Sequence, residues 1–278
     1  MLMTADAVIH PLAVVEPGAE IGSGVRIGPF CHVGPDVVLG DNVELVSHVV
    51  VTGATTLGPG TRVFPQATLG GLPQNLKHKG GRTTLVIGKN TIIREGVTMH
   101  VGSDTSTGAT TVGDNGFFMA YVHVAHDCVI GNNVTMANNA TLAGHCEIGD
   151  NVTIGGLTAV HQFARIGNNA FLGGCSAVPG DVIPFGLAFG NLAKLRGLNV
   201  VGMRRAGLAK SDVHQVRKAY QAIFDRARPI DENLERVKAE FAGSALVMNI
   251  VAFLSGRGKR YFVTPALDDA GDDGDGEH

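Results

Sequence analysis

The sequence Ile130-Gly-Asn-Asn-Val-Thr-Met136-Ala-Asn-Asn-Ala-Thr-Leu142-Ala-Gly-His-Cys-Glu-Ile148 places a large apolar residue at every sixth position. The same spacing runs through most of the chain as far as Val178. Its apolar positions, in three runs, are Ile9, Val15, Ile21, Ile27, Val33, Leu39, Leu45, Val51, Leu57, Val63 and Leu69; Ile87, Ile93 and Met99; and Val112, Phe118, Val124, Ile130, Met136, Leu142, Ile148, Ile154, Val160, Ile166, Leu172 and Val178. In a chain that is 44% hydrophobic, independent placement of all these residues would have a probability on the order of 10⁻⁹.

A repeat of six residues is typical of a parallel β-helix, in which each hexad contributes one short strand and one corner. Three hexads form a triangular coil of about 18 residues, and successive coils stack about 4.8 Å apart. The first residue of a hexad points inward, and so does the fifth, which is small or β-branched, as at Val25 and Val43. Because they occupy this fifth position, Cys31, Cys128 and Cys146 are predicted to fill the core rather than to act as ligands or nucleophiles.

The repeat is interrupted twice, at about 71–84 and 101–110, by polar, glycine-rich segments that we interpret as excursions from the scaffold. A tolerated surface insertion is the alternative interpretation of the first. The period ends after Pro184, and apolar residues then recur at helical spacing. They predict three helices: one over 211–226, one that begins with Asp231 as its cap, and one over about 246–254.

These patterns predict a mostly β chain in three parts. We assign a β-helix to residues 1–190, a small helical domain to 191–262, and an acidic, disordered tail to 263–278. The middle part is basic: residues 190–262 carry a net charge of +8, whereas residues 263–278 carry −6. A basic segment on an otherwise acidic protein predicts an anionic partner, although a solvated helical surface would look the same.

The chain is expected to be cytoplasmic. Residues 1–13 contain neither the basic nor the apolar region of a signal peptide. The longest apolar stretch, residues 245–254, is too short to cross a bilayer. We therefore expect no stable membrane insertion, and we expect no nucleic-acid partner.

Four histidines and an acid are predicted to share one face of the β-helix. His126 is the third residue of its hexad, and one coil of about 18 residues later the same place is occupied by Gly144. A further coil leads to Gln162, only a few ångströms away. The neighbours of these three positions are His123, Asp127, His145 and His161.

This set of residues suits acid–base chemistry. A neutral imidazole such as that of His126 accepts a proton from a hydroxyl, and the Asp127 carboxylate would fix its tautomer. Direct contact between these two neighbours requires a bend in the chain, because adjacent strand residues point to opposite sides. Gly144 would leave a backbone N–H open to a ligand, as an oxyanion donor. The chain has no CxxC and no nucleophilic-serine motif, so direct attack is simpler than a covalent intermediate.

Four segments carry a specific resemblance: His123-Val-Ala-His-Asp-Cys128, Ala137-Asn-Asn-Ala-Thr-Leu-Ala-Gly-His145, Gly155-Gly-Leu-Thr-Ala-Val-His-Gln-Phe163 and Gly173-Gly-Cys-Ser176. Over about residues 5–262 the chain resembles the family of UDP-N-acetylglucosamine O-acyltransferases. The resemblance implies a left-handed β-helix and a homotrimer with active sites between subunits. It implies transfer of a 3-hydroxyacyl chain from acyl carrier protein to the sugar 3-hydroxyl, the first step of lipid A synthesis, without a metal or other cofactor.

The resemblance also implies roles for individual residues. His126 would be the general base, Asp127 its support and Gly144 the oxyanion donor. Substrate-contacting positions are implied for Gln74, Asn75, Lys77, His123, His145, His161, Gln162, Gly174, Asn199 and Arg205. Among these, Gly174 matches the position that limits acyl-chain length, and Asn199 and Arg205 match positions near the nucleotide. The chain differs from the family pattern at Asn75, Val201 and Ala206.

Three other functions remain open from the sequence. A related acyltransferase would use a 3-amino UDP-sugar, although the N-acyltransferase of the pathway usually carries a domain before the β-helix and here hexads begin at Ile9. A zinc lyase of the γ-carbonic anhydrase class would use clustered histidines, but its usual pair lies five residues apart and His123 and His126 lie three apart. A non-catalytic trimeric scaffold is the third alternative.

Overall fold

Three sheets of short strands form the faces of a triangular β-helix in the computed structural model, which describes residues 2–3 and 6–266. The first face contains β1 (Leu2–Met3), β4 (Glu20–Ile21), β7 (Val38–Leu39), β10 (Ala54–Leu57), β13 (Thr84–Ile87), β16 (Ala109–Val112), β19 (Val129–Ile130), β22 (Glu147–Ile148) and β25 (Arg165–Ile166), in that spatial order. The second contains β2 (Val8–Ile9), β5 (Arg26–Ile27), β8 (Glu44–Leu45), β11 (Arg62–Val63), β14 (Ile92–Ile93), β17 (Phe117–Phe118), β20 (Thr135–Met136), β23 (Thr153–Ile154), β26 (Phe171–Leu172), β28 (Gly186–Phe189) and β29 (Lys194–Leu198). The third contains β3 (Val14–Val15), β6 (His32–Val33), β9 (Val50–Val51), β12 (Thr68–Gly71), β15 (Thr98–His100), β18 (His123–Val124), β21 (Thr141–Leu142), β24 (Ala159–Val160) and β27 (Ala177–Val178).

The strands pair in parallel at the spacing that the hexads predict. His123 lies opposite Thr141, one coil later. Across the two excursions the spacing is longer, since Thr68 pairs with Thr98 and Thr98 with His123. Both excursions therefore leave the scaffold and return to it without disturbing the inward-facing positions. Only β28 and β29 pair antiparallel, among the described strands, as a hairpin on the last coil.

The core consists of the first and fifth residues of the hexads, which are buried along the β-helix. The prediction for Cys31, Cys128 and Cys146 is confirmed, since all three are buried free cysteines. The fourth residue of many hexads has a positive φ, as at Asn133 (55°) and Asn151 (58°). Asparagine tolerates this left-handed conformation better than most residues, so the corners explain its recurrence.

Four helices follow the strands: α1 (Val200–Arg205), α2 (Lys210–Ile223), α3 (Ile230–Glu240) and α4 (Ala245–Ser255). The three predicted helices are confirmed as α2, α3 and α4, whereas α1 was not predicted. The cap predicted at Asp231 is wrong. Pro229 occupies that position, with a φ of −58° that already suits a helix start, and Asp231 lies in the first turn. No described helix is long and apolar enough to cross a membrane.

The ends of these elements bear on the predicted division of the chain. Strand β29 continues to Leu198, and α1 begins at Val200, a few residues beyond the boundary that we placed at 190. That boundary stays a prediction. The tail predicted for 263–278 lies outside the described residues from 267 onward.

Candidate active site

His126 and Asp127 form a hydrogen-bonded pair, with 2.7 Å between His126 Nδ1 and Asp127 Oδ2. The bend that this contact requires is present, because Asp127 has a φ of 60° at the corner between two faces. The same left-handed φ recurs at the fourth residue of many hexads, so the scaffold itself supplies the bend. Adjacent side chains on a strand point to opposite sides, but His126 and Asp127 can meet because they lie at a corner and not within a strand.

The second excursion surrounds the carboxylate of Asp127, whose side chain is fully buried. Ser103 N–H donates to Oδ2 over 3.1 Å, and Gly108 N–H and Thr107 Oγ1 donate to Oδ1 over 3.1 and 2.7 Å. Burial opposes ionisation, but the hydrogen bonds from Thr107, His126 and Ser103 together hold the pKa of Asp127 below its ordinary value. Asp127 is therefore a carboxylate at neutral pH.

The ionised carboxylate fixes the tautomer of neutral His126. Because Asp127 can only accept, the imidazole carries its proton on Nδ1 and keeps a lone pair on Nε2. Among the described residues, Nε2 has no hydrogen-bond partner, and the side chain is 11% exposed. His126 thus presents a positioned, unoccupied basic nitrogen.

Gly144 lies directly beneath the His126 ring. A Cβ on this glycine would stand 2.8 Å from His126 Cε1 and 2.9 Å from Nε2, so the imidazole would have to move to admit a side chain at residue 144. The Gly144 N–H donates to no acceptor among residues 6–266. A free backbone donor and a free basic nitrogen therefore share one small space.

The predicted stacking of the three coils is confirmed by backbone hydrogen bonds. His145 N–H donates to the carbonyl of His126 over 3.0 Å, and Phe163 N–H donates to that of Gly144 over 3.1 Å. His126, Gly144 and Gln162 consequently occupy the same corner of consecutive coils. His161 and Gln162 are exposed there.

His145 is held beside the pair. Its ring meets that of His126 edge-on, with centroids 5.1 Å apart, and its Nδ1 lies 3.2 Å from Ser106 Oγ. Phe163 stacks on the other side of the imidazole at 4.4 Å, with the two rings 7° from parallel. Sequence reasoning missed Phe163, although it lies one coil after His145.

A second pair of histidines continues the row on the neighbouring strands. His123 Nδ1 lies 2.7 Å from Thr98 Oγ1, and its ring meets that of His100 edge-on at 5.1 Å. Burial lowers the pKa of His123, and burial together with the charges of His123 and His126 lowers the pKa of His100 to about 4. Sequence reasoning missed His100, because the second excursion separates it from the other histidines by a spacing that is not one coil.

The first excursion reaches the site through Asn75. Asn75 Nδ2 donates to Ser103 Oγ over 3.2 Å, and Ser103 in turn donates to Asp127. Gln74 and Lys77 are exposed on the same loop, and within one chain no described contact joins their side chains to His126. The excursion therefore supports the site but leaves these two predicted contacts facing outward.

The remaining predicted residues lie away from His126 in the single chain. Asn199 caps α1 by accepting from Gly202 N–H over 2.9 Å, and it donates to the Asn169 carbonyl over 2.9 Å. Arg205 is exposed at the end of α1, and Gly174 is exposed at another corner of the β-helix. One chain thus assembles the proposed proton-transfer residues but not the whole set of predicted contacts.

His126, Asp127 and His145 could also hold a metal ion, since one ligand atom from each lies within 4.8 Å of the others. These residue types suit zinc. However, Oδ1 of Asp127 already accepts from Thr107 and Gly108. Its other oxygen, Oδ2, accepts from His126 Nδ1. These contacts suit a carboxylate that orients the imidazole rather than one that binds a metal ion.

The half-buried His100 should make the stability of the folded protein sensitive to acid. The unfolded chain takes up a proton on His100 below about pH 6.5, whereas the folded state resists it until about pH 4. We therefore expect the melting temperature to fall as the pH is lowered through this window. His100→Phe keeps the ring but cannot be protonated, so the fall should be smaller; the exposed His214 gives the control His214→Phe. Equal pH dependence of His100→Phe and the unmodified protein would contradict this role of His100.

The fold and the histidine corner define a hexapeptide-repeat acyltransferase. Residues 18–53 and 109–144 match the bacterial transferase hexapeptide family, and residues 181–262 match the second domain of UDP-N-acetylglucosamine O-acyltransferase. An acyl-acyl carrier protein–UDP-N-acetylglucosamine O-acyltransferase of Mesorhizobium japonicum is 66% identical over 232 residues, which cover 84% of this chain and 82% of that protein. The chain belongs to the UDP-N-acetylglucosamine O-acyltransferase family.

Solved structures agree with this assignment. The UDP-N-acetylglucosamine acyltransferase from Campylobacter jejuni is 40% identical to this chain. The match covers 93% of this chain and 100% of that protein, with a TM-score of 0.88. The UDP-N-acetylglucosamine acyltransferase of Francisella novicida is 33% identical. The match covers 94% of this chain and 95% of that protein, with a TM-score of 0.90. The fold is accordingly a left-handed parallel β-helix followed by helices. These relatives do not favour the 3-amino-sugar acyltransferase or the zinc lyase.

Proposed function

We propose that the protein transfers a 3-hydroxyacyl chain from acyl carrier protein to the 3-hydroxyl of UDP-N-acetylglucosamine, the first step of lipid A synthesis. The observation that carries this proposal is the free Nε2 of His126 beside the free N–H of Gly144, with Asp127 fixing the imidazole. A base next to an oxyanion donor is the arrangement that acyl transfer to a hydroxyl requires.

The residues support a single displacement on the thioester. Nε2 of His126 removes the proton of the sugar hydroxyl as its oxygen attacks the thioester carbonyl carbon. The carbonyl oxygen becomes negative and accepts a hydrogen bond from Gly144 N–H. When the tetrahedral intermediate collapses, the carbon–sulfur bond breaks, and the leaving thiolate takes the proton from His126. Asp127 stabilises the imidazolium between these steps.

The same proposal includes a homotrimer in the cytoplasm. Gln74, Lys77, Asn199 and Arg205 lie apart from His126 within one chain, and sites formed between subunits would bring them to it. Arg205 suits a phosphate of the nucleotide, because its guanidinium offers paired donors. The net charge of +8 on residues 190–262 suits an acidic carrier protein. No cofactor is needed, since the carrier protein brings the acyl group already activated.

A strip of small side chains suits the acyl chain. The third face between the Gly174 corner and the His126 corner carries Thr141, Ala143, Ala159 and Ala177 on its outer side. Gly174 stands at the far corner, and a Cβ there would lie 3.2 Å from the carbonyl oxygen of Gly156. A long chain that starts at His126 would thus run across the strip toward Gly174.

Gly174→Met should favour shorter acyl donors, because its side chain would occupy the far end of this strip. We expect the ratio of kcat/KM for short to long donors to rise at least tenfold, since each excluded methylene is worth about 1 kcal/mol. The matched control is Gly243→Met, at a glycine with open space around it. A donor profile that is unchanged in Gly174→Met would remove this residue from chain-length selection.

The function is tested by an acyl-transfer assay with purified protein, UDP-N-acetylglucosamine and a ladder of 3-hydroxyacyl carrier-protein thioesters. We expect a product whose added mass is one acyl chain and whose new bond is cleaved by hydroxylamine, as an ester is. Turnover should survive exhaustive chelation, because no step uses a metal. An amide product, or no product with any donor, would reject the proposal.

A further inference from the structure

The segment that follows α4, residues 256–263, lies against the last coils of the β-helix; we call it the C-terminal strap. Asp181 N–H donates to the Tyr261 carbonyl over 2.9 Å, and Val263 N–H donates back to the Asp181 carbonyl over 2.8 Å. Arg260 Nε donates to the Gln162 carbonyl over 2.9 Å. The strap therefore reaches the coil that carries Gln162, one of the predicted substrate contacts.

Arg165, whose side chain is 17% exposed, fixes the start of the strap. Two nitrogens of Arg165, Nε and Nη2, lie 2.8 and 2.7 Å from Oδ2 of Asp181, whose side chain is fully buried. The same guanidinium donates to the carbonyls of Gly256 and Phe253 and lies over the Phe253 ring. Because an arginine can satisfy all these partners at once in a fixed plane, the strap has a defined position.

The strap places one cation in line with the row of rings at the site. Lys259 Nζ lies 4.3 Å from the centroid of the Phe163 ring. That ring stacks on His145 at 4.4 Å, and His145 meets His126 edge-on at 5.1 Å. An ammonium over an aromatic face is attracted by the ring, so Lys259 and Phe163 hold each other in place.

The position of His145 matters because two imidazoles lie near one carboxylate oxygen. Oδ2 of Asp127 is 2.7 Å from Nδ1 of His126 and 4.0 Å from Nδ1 of His145. A protonated His145 would draw this oxygen away from His126 and would repel the imidazolium that forms there during transfer. A neutral His145 leaves the carboxylate to the base.

The charged and titratable groups that face His145, among the described residues, are His126 and Asp127 from the preceding coil and Lys259 from the strap. Burial lowers the pKa of His145; Asp127 acts in the opposite direction, and the positive charges of His126 and Lys259 add to the lowering. The net direction favours a neutral ring. Lys259 is the only one of the three groups that comes from outside the repeat.

We propose that Lys259 is a positioning residue for the acyl transfer, which holds the Phe163 ring against His145 and disfavours a positive charge on His145 beside the His126–Asp127 pair. Its catalytic part rests on the function proposed above. Its electrostatic part does not, because the charge of His145 can be followed without turnover.

The electrostatic part is tested by NMR titration of the histidines in the full-length protein, with His145→Gln to assign the His145 resonance. Removing the cation in Lys259→Met should move the His145 midpoint to higher pH, and Lys259→Arg should restore it. The control is Lys238→Met, the same change at an exposed lysine of α3. A His145 midpoint that does not move in Lys259→Met would overturn the proposal, whether or not the protein proves to be an acyltransferase.

The catalytic part is tested by the pH profile of kcat/KM with acyl carrier-protein donor. Because His145 takes up its proton at higher pH in Lys259→Met, activity should be lost earlier on the acid side. The deficit should be on the order of threefold below neutral pH, as expected of a charge one ring away, and should disappear at alkaline pH. If the His145 midpoint moves in Lys259→Met but the pH profile of kcat/KM does not change, the positioning role would be overturned. Absence of turnover in the unmodified protein would instead reject the proposed function.

Discussion

His126→Ala should lower kcat by about 10²-fold to 10⁴-fold while the fold remains intact. The substitution removes the lone pair on Nε2. Among the described residues, no other imidazole is hydrogen-bonded to Asp127 and could accept the proton in its place. Since the ring is 11% exposed at a corner and lies outside the core of inward-facing residues, the β-helix does not depend on it. Steady-state rates with the acyl carrier-protein donor, beside circular dichroism and sedimentation of the variant, provide the measurement.

The control for this experiment is His214→Ala, at an exposed histidine of α2 that lies outside the row of rings. It should keep the rate of the unmodified protein. Near-normal turnover in a folded His126→Ala protein would show that another group accepts the proton, and the assignment of the base would then be abandoned.

Gly144→Ala should cost about 10²-fold or more in kcat/KM, an effect comparable to the loss of an oxyanion donor. The added Cβ would stand 2.8 Å from Cε1 of His126, so the imidazole must move away from the backbone N–H of residue 144. Both groups remain present in the variant, but their separation increases. The effect should appear mainly in kcat, because the interaction is made in the transition state.

Gly34→Ala is the matched control, since its Cβ would meet Thr52 Cα at an ordinary contact distance of 3.4 Å. This variant should behave as the unmodified protein does. Full activity in Gly144→Ala would mean that the close approach of ring and backbone is not used in the reaction.

The sequence was sufficient for the scaffold because a period of six leaves little freedom. Once Ile130, Met136 and Leu142 are assigned to the interior, the place of every residue between them follows. The same spacing places His126 and Gly144 at one corner in consecutive coils. Regular spacing thus predicts neighbours that are far apart in the chain, which composition alone cannot do.

The positions of residues on the two excursions could not be predicted from the repeat, because a loop has no period. The three donors to the carboxylate of Asp127 that lie on the second excursion, Ser103, Thr107 and Gly108, could not be placed from spacing. His100 was missed for the same reason. Lys259 comes from a segment that folds back after four helices, and only the structure relates it to Phe163.

The left-handed corner at Asp127 also bears on how such a site can originate. The scaffold fills the fourth place of many hexads with asparagine, as at Asn133 and Asn151, where the backbone has the same sign of φ. Aspartate differs from asparagine by one atom of the side chain and fits that backbone equally well. An ancestral corner could therefore gain its acid by a single isosteric exchange, and a histidine one residue earlier would be sufficient to convert a spacer into a proton acceptor.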